Sequence, residues 1–313
     1  MVSAIEVGVF TELAGSTGLG GEELRDRLGL HPRGARDLFD ALVALGLLER
    51  EDGRYWCSAA AGAFLDPSAP GYVGDFLVMA ANRPTWPRLT EALLNGEPQS
   101  VARDGENFFD DVYADPEKLA GFLRAMTSNS AGTARALASA FPWERYRTVL
   151  DVGCAEGGVL AQLASEHGHL KGVGLDLPVV RPHFDRFVAG TGLSDRLHFQ
   201  AGDFLTGDLP DADVIIMGHI LHDWDLATKR LLLHKAHAAL PDGGTLIVYE
   251  TLIDDDRRET AFALLMSLNM LVETRGGFDF TGAECRTWMR DAGFRESRVE
   301  HLAGPVSMVV GVR

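Results

Sequence analysis

From Arg147 onward, apolar residues gather in short runs separated by stretches in which they recur every three or four positions. The runs at 148–152, 171–176, 196–200, 213–218 and 245–251 predict strands with helices between them. That alternation predicts an α/β fold with a parallel, doubly wound sheet. Two successive β-rich runs at 296–302 and 306–312, joined by Gly304-Pro305, predict an antiparallel hairpin closing the sheet edge. Ahead of this region the period is helical. Residues 3–13 carry helical apolar spacing, Gly21-Glu-Glu-Leu opens a second short helix, and His31-Pro-Arg opens a third. The third runs to about position 47 with Ala35, Leu38, Leu42 and Leu45 on its apolar side. Glu51-Asp-Gly-Arg-Tyr-Trp56 then places an Asp-Gly turn beside aromatic strand formers, so three helices and a wing predict a mainly α winged-helix domain. Residues 73–81, 86–94 and 116–140 read as helices. Asn95-Gly-Glu-Pro98 and Asp104-Gly-Glu106 are breaks, the second leading into Asn107-Phe-Phe-Asp-Asp-Val-Tyr113. The expected organisation is a winged-helix domain at 1–70, a helical linker and lid at 71–145, and an α/β domain at 146–313.

Composition narrows the function classes. The 313 residues are 46% hydrophobic with a net charge of −16, enough for one large or two ordinary domains. Residues 1–60 hold six arginines, no lysine and ten carboxylates, too little positive charge for a groove-reading DNA module. Arg33 and Arg36 of the third helix are offset by Asp37 and Asp40. A structural or dimerising module is expected instead. No apolar run approaches the roughly 20 residues that span a bilayer. Glu6 and Glu12 stand where a signal peptide carries positive charge. Cys57, Cys154 and Cys285 are odd in number and far apart, which suits free thiols in the cytoplasm.

The most informative stretch is Thr148-Val-Leu-Asp-Val-Gly-Cys-Ala-Glu-Gly-Gly-Val-Leu160: a strand, a glycine-punctuated turn and a helix start. Glycine there lets backbone approach a ligand at the strand ends. Position 155 is Ala, so the dinucleotide fingerprint Gly-x-Gly-x-x-Gly is not met. Asp176 follows Gly153 by 23 residues, at the end of the second strand, where a carboxylate can accept from ribose hydroxyls. Asp203, in Gly202-Asp203-Phe204, is placed to receive an adenine amine. S-adenosylmethionine (SAM) carries a sulfonium and an ammonium and no phosphate. Asp151, Glu156, Asp176 and Asp203, with no cation in the turn, fit it better than they fit NAD.

The ordered set of winged helix, helical segment, Leu150-Asp-Val-Gly153, Gly174-Leu-Asp176-Leu-Pro178, Gly202-Asp203-Phe204, His222-Asp-Trp224, Leu240-Pro-Asp-Gly-Gly244 and Gly276-Gly277 resembles the SAM-dependent O-methyltransferases of the caffeate and acetylserotonin type, including bacterial tailoring enzymes. The resemblance spans nearly the whole chain. It implies a Rossmann-like methyltransferase sheet and a metal-free homodimer joined through the N-terminal module. It also implies a small-molecule acceptor, while the net charge of −16 argues against nucleic acid or an anionic membrane as partner. His222 matches the catalytic base, Glu250 a carboxylate that orients it, and Asp279 a second partner that is usually glutamate. Gly153, Asp176 and Asp203 match cofactor contacts; Phe204, Gly218 and Trp224 join them as candidates. Met126, Asn129, His219 and Met270 are candidates for the acceptor pocket. The chemistry is self-consistent: a phenol, whose ordinary pKa is about 10, needs a base, and a carboxylate on the far ring nitrogen fixes the tautomer of a histidine.

The sequence departs from the pattern in three places. Gly218 stands where a lysine is common, Gly-Gly-Phe-Asp-Phe-Thr281 replaces Gly-Gly-Lys-Glu-Arg-Thr, and the chain begins close to its first winged-helix helix, where relatives carry a further helix that swaps into the dimer. His234 and His237, spaced i, i+3, have no clear third ligand, so no metal is expected. The rival readings are methyl transfer to carbon of a keto acid or to sulfur of a thioether acid, a hydroxylase or decarboxylase that retains SAM, and a DNA-binding regulator.

Overall fold

A computed structural model describes residues 1–81, 85–100 and 108–313; the break expected at Asp104-Gly-Glu106 and the adjoining Asn107 lie outside them. The chain packs as two units, Met1–Arg83 with Arg124–Gly132, and Pro84–Leu123 with Thr133–Arg313.

In the first unit the helix expected over 3–13 is split at Gly8 into α1 (Val2–Glu6) and α2 (Val9–Leu13). After β1 (Leu19–Gly20) and α3 (Gly21–Arg27), α4 (Pro32–Ala44) starts with Pro at its first position and the His31 ring accepting the Arg33 N–H. Its buried stripe is Ala35, Phe39 and Leu42, spaced i, i+4, i+7. Leu45 lies past the helix end and is exposed, contrary to the expected stripe. The wing is β2 (Leu48–Glu51) and β3 (Arg54–Cys57), antiparallel about Asp52-Gly53. Two residues of β1 also pair with β3, a strand too short to show a period in sequence. Then come α5 (Ala59–Phe64) and α6 (Gly74–Ala81).

The second unit contains α7 (Leu89–Asn95), α8 (Phe108–Ala114) and the flanks of α9 (Pro116–Ala140). Its α/β part follows: β4 (Thr148–Val152), α10 (Gly158–Glu166), β5 (Lys171–Asp176), α11 (Arg181–Thr191), β6 (Leu197–Ala201), β7 (Val214–Gly218), α12 (Leu226–Ala239), β8 (Thr245–Glu250), α13 (Ala261–Glu273), α14 (Gly282–Asp291), β9 (Glu296–Ala303) and β10 (Val306–Val312). The strands match the expected runs within a residue. They form one sheet in the order β6-β5-β4-β7-β8-β10-β9, parallel through β8 and antiparallel at β10 and β9. In β7, Val214 and Ile216 pack with Trp143, Leu160 and Phe184 on one face, while Ile215 and Met217 pack with Leu232 and Trp288 on the other. Both faces are therefore covered, as parallel strands require. The strand order reverses between β4 and β7, which run parallel, so the crevice opens where β4, β5, β7 and β8 end. Those ends carry Asp176, Gly218 and Glu250.

Candidate active site

The cofactor side is built mostly from backbone. After β4 the chain turns through Gly153 (φ 70), where a Cβ would run into the Ile220 side chain. The tight turn aims the Ala155 N–H at Asp176 Oδ2 over 2.9 Å, and Leu177 N–H donates to Oδ1 over 2.8 Å. Asp176 is buried, and burial pushes it up to about 6 despite those two donors. Burial next to Asp176 lifts Asp151 to about 8. A glycine turn with buried carboxylates and no cation suits a sulfonium and an ammonium, so these residues fit SAM.

Asp203 does more local work than its sequence position suggests. Its carboxylate accepts from Leu205 N–H and Thr206 Oγ1, closing its own loop. Lys235 of α12 secures that loop from beneath, donating to the Phe204, Leu205 and Gly207 carbonyls over 2.7–2.8 Å. Phe204 meets Trp224 edge-on with centroids 6.1 Å apart, and Phe109 of α8 stacks on Trp224 at 6.0 Å. Tyr113 and Phe122 extend this aromatic group. Burial, then the charge of Asp176, pushes the Tyr113 hydroxyl far above its usual range. The aromatic spacing of α8 is visible in the sequence, but nothing there shows that it faces Trp224.

The base side joins three segments. A single helical turn, Leu221–Asp223, follows β7 and carries His222. Glu250 ends β8 alongside, and its Oε1 accepts the N–H groups of Leu221 (3.1 Å) and His222 (3.3 Å). Glu250 thus fixes the backbone under the histidine, while its Oε2 lies 3.9 Å from the ring Nδ1. Asp279 holds the ring itself, with Oδ1 3.3 Å from Nδ1. Nε2 is left facing Asp223 Oδ1 at 3.6 Å. Burial opposes the charging of His222. Glu250, then Asp223 and Asp279, outweigh it and hold the imidazole up at about 10. Burial in turn lifts Asp223 to about 6 and raises Asp279. Burial also acts to raise Glu250, yet His222 and His219 keep it below its ordinary value.

His219 (φ 54) stands one turn before His222, its Nδ1 3.4 Å from Glu250 Oε2. Among the described residues, His219, His222 and Glu250 form the group whose donor atoms are near enough to approach a metal ion, within 4.8 Å of one another. His234 is exposed, whereas His237 packs edge-on against Phe294, so this pair does not share surroundings. Position 218 has no room for the lysine that the resemblance leads one to expect: the Tyr249 ring occupies the space a side chain would take. Met270 is buried on α13, which packs against the 221–223 turn. Met126 and Asn129 fall in the stretch of α9 that groups with the first unit.

The family model for an O-methyltransferase domain matches residues 86–295. The chain is 45% identical to the tetracenomycin polyketide synthesis 8-O-methyl transferase TcmO of Streptomyces glaucescens, covering 99% of this chain and 91% of that protein. It is 37% identical to the N,N-dimethyltransferase OxyT of Streptomyces rimosus, over 96% and 88% of the two chains. Human N-acetylserotonin methyltransferase, solved with SAM, superposes with a TM-score of 0.91 at 25% identity, covering 100% of this chain and 92% of that one. With the glycine turn, the buried Asp176 and the His222–Asp279 pair in place, this chain belongs to the SAM-dependent O-methyltransferase family.

Proposed function

We propose that the enzyme methylates a hydroxyl of a small aromatic metabolite of polyketide type, with His222 taking the hydroxyl proton. The observation that carries this reading is the His222 ring held at Nδ1 by Asp279 over 3.3 Å, with Nε2 on the far side of the ring beside Asp223 Oδ1 at 3.6 Å, the nitrogen that would meet the acceptor. Bound SAM supplies an electrophilic methyl group on its sulfonium, and Gly153, Asp176, Asp203, Phe204 and Trp224 are the residues to hold it. A buried imidazole at about 10 is matched to a phenol, whose ordinary pKa is also about 10, so the proton is shared between groups of similar affinity. An acceptor phenolate paired with imidazolium holds the same proton count as a phenol beside neutral histidine. Acidic hydroxyls, conjugated with a carbonyl, are therefore favoured acceptors. The aromatic group around Trp224 supports a flat, unsaturated acceptor.

OxyT, named as an N,N-dimethyltransferase, motivates a second reading with an amine acceptor. A neutral amine attacks without prior deprotonation, so it has less need of His222. The test is turnover with matched hydroxy and amino polycyclic acceptors and 13C-methyl SAM, locating the label by NMR. The hydroxyl reading expects an O-methyl product that is lost in His222→Ala. An N-methyl product surviving that substitution overturns it.

The same reading assigns residues 1–70 to dimer contact, 71–145 to a linker and lid, and 146–313 to catalysis, in a cytoplasmic homodimer. In the first unit Asp40 accepts from the Tyr55 hydroxyl at 2.7 Å and pairs with Arg36 and Arg50. That ties up scarce basic groups and supports a structural role over DNA binding. Sedimentation at the mass of two chains supports the dimer, and sedimentation at one chain refutes it.

A further inference from the structure

In the segment carrying Asp279, phenylalanines stand at 278 and 280 in Gly-Gly-Phe-Asp-Phe-Thr281. Between those phenylalanines stands a cation from another element. Lys229, in the first turn of α12, is fully buried. Its Nζ lies 3.5 Å from the centre of the Phe278 ring and 5.6 Å from that of Phe280, and donates to the Trp224 carbonyl. Among the described residues no carboxylate is within ion-pair distance of it. A buried ammonium with such partners is costly, and the positive end of a helix disfavours it further. Secondary structure and packing alone give no reason for lysine here.

The contacts supply one. Trp224 lies two residues beyond His222, and Phe278 and Phe280 flank Asp279. The two segments press together at Gly277, where a Cβ would stand 2.6 Å from the His222 carbonyl and 2.8 Å from that of Asp223. We propose that Lys229 is a positioning residue for methyl transfer: its ammonium clamps the 222–224 segment to the 278–280 segment and offsets the carboxylates that charge the base. Burial pulls Lys229 down to about 8 while Glu250, Asp279, Asp223 and Asp225 pull it up. His222 is faced by Asp223, Glu250, Asp279 and His219. Cys285, the remaining group near Lys229, is kept neutral by burial. Removing the cation strengthens the hold of the carboxylates on the imidazolium, so His222 stays protonated to higher pH.

This inference rests on His222 as the proton acceptor, and the test keeps the two apart. Ring-13C histidine signals are titrated in the protein saturated with S-adenosylhomocysteine, with His222→Ala assigning the resonance. In Lys229→Met the His222 midpoint is expected to rise by about 0.5 pH or more. Turnover should fall about tenfold with SAM affinity unchanged, as misplacement of the base predicts. Returning the cation to the loop, in the double substitution Lys229→Ala with Phe278→Lys, should restore both. An unchanged midpoint in a folded Lys229→Met protein overturns the proposal and leaves Lys229 a packing residue. If Lys229→Met does not fold, the double substitution decides: a wild-type midpoint supports the clamp, while a raised midpoint or failure to fold refutes it. Full turnover in His222→Ala would instead break the functional reading, since the midpoint is read without turnover.

Discussion

The two halves of the crevice are built by opposite means. The cofactor side, at the ends of β4, β5 and β6, uses backbone amides arranged around Asp176 and a loop closed by Asp203. The base side, at the ends of β7 and β8, uses side-chain charge: Asp223, Glu250 and Asp279 surround one imidazole. In the proposed reading the first recognises a cofactor whose shape is constant, for which rigid backbone is enough, and the second moves a proton, which requires groups whose affinity for it has been shifted by burial and by each other. Mutations should therefore separate the halves, with binding failing on one side and turnover on the other.

The sharpest separation is His222→Ala, expected to lower kcat by about 10²–10⁴-fold with SAM affinity within about twofold, by assay and calorimetry. Equal loss of SAM binding would mean the halves are not independent. Asp176→Asn is the converse. Losing a charge-assisted acceptor should raise the Kd for SAM by about 10–100-fold, measured by calorimetry, with kcat at saturating SAM largely kept.

The pH dependences differ in the same way. Asp176 sits at about 6 in the free protein. Below that pH it is protonated and neutral, so SAM affinity should fall as pH drops through 6, and Asp176→Asn should remove the dependence. For the base the productive complex holds one proton fewer than imidazolium plus phenol. The value of kcat/KM should then rise with pH, about tenfold per pH unit, until it nears the pKa of the acceptor or of His222. Asp279→Asn removes a charge that raises His222, so its plateau should begin at lower pH. A plateau that does not move would take Asp279 off the ring. The smallest effect is expected for Lys235→Ala, which frees three carbonyls of the Asp203 loop. At about 1 kcal/mol it should weaken SAM binding several-fold and leave the pH profile alone.

The same contrast governs what is legible in the sequence. Strand runs such as 148–152 and 171–176 are legible because buried parallel strands demand contiguous apolar residues, and Gly153 and Asp176 because they adjoin those strands. The relation of Glu250 and Asp279 to His222 comes through family resemblance, not through spacing. Which carboxylate holds the ring and which holds the backbone is not legible, because it depends on atoms rather than positions. Lys229 is hidden as well, because a lysine in a helix reads as surface, and only its placement between Phe278 and Phe280 identifies it as buried.

By itself, then, the sequence determined the winged helix, the doubly wound sheet and the crevice at the strand ends. These follow from local periodicity, turn chemistry and residues tied to strand ends, while His222 is singled out through the family resemblance. Tertiary structure alone decided that Asp279 holds the ring while Glu250 holds the backbone beneath it, the filling of the space over Gly218 by Tyr249, and the enclosure of Lys229. Each depends on distances between segments far apart in sequence, and burial fixes the charge of the groups that meet there.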